Sequence, residues 1–343
     1  MNLSNSCKRI CFKTSGDWQS GKWGDEEMGI IYFILNPSSP APLLRALWLT
    51  ISLSVLGLWG VGTPIMAQTP STLQIAQSLP RLTPTTPAAA DQLNQGIQLV
   101  QQGKIPEAIA AFQQASRLNP KLAPAHYNLG LALRQIGQLQ PAADAFYQAI
   151  QADPDFAIAY ANLGAALLEG NNLPQAKDYL ERALELDSTS GIAHYNLGLV
   201  LAQQGEVDNA IAAFGRAIPL SSNAPEPSYH LGLAYLQQGK IEEAKKAFQR
   251  AVKISPKYPE AHYNLGTILF NQGDLNAALE AFRQSAAANP NYANAYYGAA
   301  LTFIKQNRYS DAQQVLQYAK NLYTSQGNTQ WAIKAEQLLE QVR

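Results

Sequence analysis

Cysteine is nearly missing from this 343-residue sequence: Cys7 and Cys11 are the two present, both close to the N-terminus. No disulfide framework and no zinc site can be built into the residues that follow them. Charge is scarce as well. Lys, Arg, Asp and Glu together make up 15% of the chain, against roughly 25% in an average soluble domain. The 25 basic and 25 acidic side chains cancel to a formal charge of zero. Without a basic face there is no electrostatic footprint for nucleic acid, since counterion release needs clustered Lys and Arg. Chemistry-bearing motifs are absent too. There is no Gly-rich phosphate loop after a strand, no Gly-x-Ser-x-Gly, no His-Glu-x-x-His and no Cys-x-x-Cys. An enzyme is not expected, nor is a catalytic residue, a bound metal or a cofactor. What the sequence does hold is glutamine, 32 of them, and 47% hydrophobic residues. That apolar content excludes disorder over the whole length.

One long apolar run stands apart. Residues 46–62 carry no charge, follow Arg45, and end in the helix-breaking stretch 60–64 before Ile65-Met66-Ala67-Gln68. Basic flank, apolar core and small residue before a polar stretch are the features of a secretory signal peptide, with cleavage expected between Ala67 and Gln68. The competing reading is a retained single transmembrane anchor, because the run extended to Met66 reaches the lower end of spanning length. Export to a periplasm, a lumen or an outer membrane face follows from the first reading, and membrane association through the N-terminal segment from the second. Translation from Met1 or from Met28 is compatible with both. No cysteine follows the run, which argues against a lipid anchor. Residues 1–67 are thus expected to be a leader. Residues 68–88, with Pro70, Pro80, Pro84 and Pro87 among Thr, Ala, Ser and Gln, read as a semi-extended tether.

From Ala89 the sequence repeats every 34 residues. Gly96, Gly130, Gly164, Gly198, Gly232 and Gly266 share one register. Ala108, Ala142, Ala176, Ala210, Ala244, Ala278 and Ala312 share another. A fixed period of this length signals a stacked array. The units are 89–122, 123–156, 157–190, 191–224, 225–258, 259–292 and 293–326. Within unit two, His126, Leu129, Gly130 and Leu133 form one helical stripe and Ala142, Phe146, Ala149 and Ile150 a second. Between the helices stands Gly103, Gly137, Asn171, Gly205, Gly239, Gly273 or Asn307, the two residue types that tolerate a left-handed conformation at a helix C-terminus. Pro106, Pro141 and Pro174 mark the start of second helices, and Pro120, Pro154, Pro256 and Pro290 their ends. Trp331, Ala335, Leu338, Leu339 and Val342 recur at helical spacing, so 327–343 is expected to cap the last apolar face.

These residues carry a resemblance to the tetratricopeptide repeat (TPR) family, whose 34-residue pattern runs through aromatic, Leu-Gly, Tyr, Ala, Phe and Pro. His-Tyr-Asn-Leu-Gly at 126–130, 194–198 and 262–266 is a close match. Phe112, Phe146, Phe214, Phe248 and Phe282 supply the family phenylalanine, with Leu180 and Leu316 in units three and seven. The resemblance implies an all-α, right-handed superhelical solenoid of helix-turn-helix units. It also implies a protein or extended-peptide ligand in a concave groove lined by first helices, so that the chain would serve as an adaptor or assembly factor. A regulatory or substrate-presenting subunit of a separately encoded enzyme, such as a glycosyltransferase or an envelope biosynthesis complex, is the alternative it leaves open.

In the family the groove uses positions two, five, six, nine, twelve and thirteen of each unit. Position five here holds Tyr127, Tyr195, Tyr229, Tyr263 and Tyr297. Position six holds Asn128, Asn162, Asn196, His230 and Asn264, and position nine Leu131, Leu199 and Leu233. The asparagines form a ladder of amides that could grip an extended backbone or could help the units pack. A groove of Tyr and Leu favours apolar and aromatic partner side chains. It lacks the lysines with which some TPR domains clamp a C-terminal carboxylate. His126, His194 and His262 are 68 residues apart, on alternate units, and cannot converge on one ion. A monomer is expected, because the amphipathic cap argues against stacking of repeat ends.

Overall fold

The computed structural model describes residues 86–342. The apolar run 46–62, the junction of Ala67 and Gln68, and most of the 68–88 segment lie outside the described residues. The described residues form fifteen α-helices and no strand. In chain order these are α1 (Pro87–Gln101), α2 (Ile105–Leu118), α3 (Ala123–Gln135), α4 (Leu139–Ala152), α5 (Ala157–Glu169), α6 (Leu173–Leu186), α7 (Gly191–Gln203) and α8 (Val207–Leu220). They continue with α9 (Glu226–Gln237), α10 (Ile241–Ile254), α11 (Pro259–Gln272), α12 (Leu275–Ala288), α13 (Ala293–Lys305), α14 (Tyr309–Ser325) and α15 (Thr329–Gln341). Odd helices from α1 to α13 open the seven units and even helices close them. Pro87 and Ala88, which composition assigns to the tether, form the first turn of α1, where proline's missing N–H costs nothing. None of the helices among the described residues is long and apolar enough to cross a membrane.

The hairpins close where left-handed backbone is tolerated. Gly137 has φ of 76° and Asn171, which carries a β-carbon, still reaches 57°; asparagine manages this because its short side chain can hydrogen-bond locally. The second helices α2, α4, α10 and α12 stop two residues before Pro120, Pro154, Pro256 and Pro290, since the residue preceding a proline is pushed out of helical geometry.

Packing explains the small residues of the repeat. All seven alanines of the register from Ala108 to Ala312 are fully buried. A β-carbon at Gly130, Gly198 or Gly232 would stand 2.6 Å from the ring of Phe146, Phe214 or Phe248, closer than packed carbons approach. Each ring therefore packs directly against its glycine and buries apolar surface worth roughly 2–3 kcal/mol. Unit three keeps the arrangement with Gly164 against Leu180.

Histidine at position four ties one unit to the next. The Nε2 of His126, His194 and His262 lies 2.9, 3.1 and 2.9 Å from the carbonyl oxygens of Pro120, Ser188 and Pro256. A carbonyl only accepts, so each ring donates from Nε2 to the turn that ends the preceding unit. First helices of successive units touch one another at several junctions, α5 against α7 and α11 against α13 among them. Even helices make their close packing contacts only with the helices that precede and follow them in the chain. The first helices are therefore the inner row of the solenoid. At its C-terminal end α15 packs Ala335, Leu338 and Leu339 against α14, and the Trp331 ring stands edge-on to Tyr297 at 5.5 Å.

Candidate functional site

Position five of the inner helices faces the joint between units more than it faces solvent. Tyr127 is 2% exposed. Its ring centroid lies 5.8 Å from Phe146 of its own unit and 5.2 Å from Phe156. Tyr229 repeats this with Phe248 and Tyr258 at 5.7 and 5.0 Å, and Tyr263 with Phe282 and Tyr292 at 5.8 and 5.7 Å. Tyr297 is buried against Trp331, whereas Tyr195 is half-buried. Leu131 and Leu233 at position nine are half-buried and Leu199 is buried.

The asparagine ladder is folded into the same joints. Asn128, Asn162, Asn196 and Asn264 are all buried. Nδ2 of Asn128, Asn162 and Asn264 donates to the carbonyl four residues earlier, Pro124, Ile158 or Glu260, at 2.8 to 2.9 Å. His230 Nδ1 lies 3.0 Å from the Glu226 carbonyl in the same way. A second contact reaches the tyrosine of the preceding unit. Asn162 Nδ2 is 3.3 Å from the Tyr127 hydroxyl, His230 Nδ1 is 3.3 Å from that of Tyr195, and the Tyr229 hydroxyl faces Asn264. Spacing alone leaves both ligand contact and packing open for these amides. In the folded chain the N–H side of Asn128, Asn162 and Asn264 is engaged by the carbonyl of its own helix, and in Asn162 and Asn264 it also meets a tyrosine hydroxyl.

What happens to Oδ1 differs along the array. Asn162 Oδ1 receives Nη1 of Arg134 at 3.5 Å, and the same guanidinium holds Glu169 through Nε at 3.0 Å and through Nη2. Asn264 Oδ1 is buried with no hydrogen-bond partner. Nearby electrostatics follow from burial. Desolvation raises the carboxyl of Glu260 above its usual range and the hydroxyls of Tyr229, Tyr258 and Tyr292 well above theirs. Burial depresses His230 to about 4, so its imidazole is neutral at physiological pH.

The open part of the inner face is position two. Ile192 is 39% exposed, and Ile158, Glu226 and Glu260 are half-buried. Glu226 and Glu260 did not stand out in the sequence, because acids in the first turn of a helix are expected on dipole grounds alone. Tyr258 and Tyr292, 34 residues apart and outside the helical stripes, carried the periodic signal that could have found them. No group of three or more His, Cys, Asp or Glu side chains able to hold a metal ion occurs among the described residues.

Two family models match the sequence. That of the cilia and flagella-associated protein 70 C-terminal domain covers residues 71–287, and a tetratricopeptide repeat model covers 269–336. The chain belongs to the tetratricopeptide repeat family. Among solved structures, this TPR chain is similar to PilF of Pseudomonas aeruginosa, with 18% identity over 61% of this chain and 95% of that one and a TM-score of 0.55. It is also similar to PilW, a type IV pilus biogenesis factor, with 22% identity, 61% and 96% coverage and a TM-score of 0.55. YrrB, a TPR protein with an unusual peptide-binding site, aligns at 29% identity over 57% of this chain and 99% of that one with a TM-score of 0.48. At these identities the PilF and PilW likenesses establish the fold alone. A search of curated proteins finds no match.

Proposed function

We propose that this TPR array is an exported, non-catalytic scaffold that binds a protein or an extended peptide along its inner row of helices. The observation that carries the reading is the aliphatic stripe left open there. Ile158 and Ile192 stand at position two of adjacent units, with Ile192 39% exposed, and Leu131 and Leu233 are half-buried at position nine. An apolar row in register with the repeat suits an extended chain that offers side chains at regular intervals. Tyr127, Tyr229 and Tyr263 serve this face from behind by fixing the angle between units. The leader 1–67 supports placement outside the cytoplasm.

The test is affinity capture from native extract by the full-length protein, beside a variant carrying Ile158→Lys and Ile192→Lys. Both positions are open enough to accept lysine without burying its charge. A partner held by the native chain and lost by the variant, with helicity retained by circular dichroism, supports the inner face. Equal capture by both moves binding to the outer helices or the chain ends.

A further inference from the structure

Units five and six gather two carboxylates and an unpartnered amide oxygen among tyrosine rings. Glu226 and Glu260 occupy position two of α9 and α11, one turn before His230 and Asn264 on the same helices. Around them stand the rings of Tyr229 and Tyr258, 5.0 Å apart, and of Tyr263 and Tyr292, 5.7 Å apart. The hydroxyl of Tyr258 is within electrostatic reach of Tyr229, Tyr195, Glu260 and Glu226, and that of Tyr292 within reach of Tyr263, Tyr229 and Glu260. Among the described residues no lysine or arginine contributes to the electrostatics of Glu260, Tyr229, Tyr258 or Tyr292, and His230 is neutral. Asn264 is 1% exposed, its Nδ2 is taken by the Glu260 carbonyl, and its Oδ1 is unpartnered. The Tyr292 hydroxyl, beside Asn294, is likewise buried without a hydrogen-bond partner.

The chain itself shows what fits such an acceptor. At the equivalent rung between units two and three, Asn162 Oδ1 faces the guanidinium of Arg134, which is shared with a carboxylate. The residue that stands to Asn264 as Arg134 stands to Asn162 is Leu236. Among the rungs of the described residues Arg134 is the one arginine in that place, and at Asn264 the buried oxygen, two carboxylates and four tyrosine rings stand without it. An unpaired buried acceptor is costly until a donor arrives. A planar cation with five N–H groups can satisfy an amide oxygen and a carboxylate at once and also lie on an aromatic face.

We infer that the inner face of units five and six is a cation-accepting subsite for an arginine side chain of an extended partner segment, held by Glu226, Glu260 and Asn264 Oδ1 beside the tyrosine rings. The inference rests on the inner-face binding reading above and adds the chemistry of one anchor.

A display library of randomised short peptides, selected on the full-length protein, tests it. Enrichment of arginine, with lysine behind it, at one position of the selected peptides is the expected result. Affinity for those peptides should drop on the order of tenfold or more in Glu260→Gln and further with Glu226→Gln added. Leu236→Arg supplies the guanidinium from within and should abolish the preference for basic residues while peptides lacking them bind as before. Thermal melts of each variant separate loss of the site from loss of the fold. Selected peptides without a basic residue would overturn the subsite and leave inner-face binding standing. A library that yields no enriched peptide counts against both.

Discussion

Between units two and three, Tyr127 packs at a tilt against Phe156 of the following turn, bonds to Asn162, and sits near a guanidinium that also holds Asn162 and Glu169. Between units four and five the same register positions hold other residues. Tyr195 is half-buried, Ala224 stands in the place of Phe156, and His230 replaces the asparagine. Ser228 Oγ is buried without a partner, Pro219 lies inside α8, and Pro225 caps α9 in a helical conformation. The backbone geometry of the repeat survives both sets of residues, so the fold does not depend on any one of them. What changes is how firmly neighbouring units are held. In a solenoid each unit contacts only its neighbours, so stability is close to a sum of unit and junction contributions, and a weak junction stays weak locally. The second junction is expected to be the softer one, and it borders the subsite inferred in units five and six.

The sharpest way to break this comparison is to remove the tyrosine from each joint. Tyr127→Ala deletes a fully packed ring and should cost about 3–4 kcal/mol, read from urea unfolding and from faster amide exchange in α3 to α5. Tyr195→Ala should cost about half as much, since its ring is half-buried and Ala224 stands where Phe156 walls Tyr127, leaving Phe214 and an edge contact to His230. Equal losses would mean that the two joints are equally tight.

Acid should separate the junctions next. His230 is depressed to about 4 in the folded chain, against an ordinary value near 6.5. Below 6.5 the unfolded state takes up a proton that the folded ring refuses. Stability from His230 is therefore complete above pH 6.5 and declines as the pH falls toward 4. For a half-buried ring the decline is on the order of 1–2 kcal/mol, confined to α7 through α10. Glu260, raised by burial, works in the opposite sense, because protonating it in acid relieves an unpaired charge. The His230→Asn variant isolates the histidine, since it restores the rung and should remove the acid-sensitive part of the profile. Unchanged acid sensitivity in that variant would place the titration elsewhere.

Period, turn residues and the pairing of Gly with Phe were all legible in the sequence, because each answers to a short-range rule. Left-handed turns need Gly or Asn, and a ring pressed on a helix needs a residue without a β-carbon at the contact. The site was legible only in outline. Tyr-Asn at 127–128 and 263–264 advertised an inner face. However, a helical stripe cannot say whether an amide turns outward or back to the carbonyl four residues earlier, and Asn128 and Asn264 turn back. The histidines at 126, 194 and 262 were legible only as too far apart to share an ion, and their hydrogen bonds to the preceding turn depend on a contact between units that no single helix pattern contains. Glu226 and Glu260 were hidden for a different reason. Their meaning lies in the cation they lack, which shows only when the neighbours from three helices are assembled.

The smallest expected effect probes the weak joint from inside. Ser228 takes position four, where His194 and His262 reach back to the turn before them, and its buried Oγ makes no hydrogen bond. A hydroxyl in that state has lost its water without replacement, so Ser228→Ala should stabilise the chain by about 0.5–1 kcal/mol. The gain should appear as a higher unfolding midpoint and as slower amide exchange at the start of α9, with α3 to α5 unaffected. The alanine also leaves the turn 221–225 with the same backbone, so no strain offsets the gain. A loss of stability would show that the hydroxyl finds a partner as the turn moves. Junction four–five would then be mobile rather than merely under-bonded, and its softness would belong to the backbone of the turn and not to its side chains.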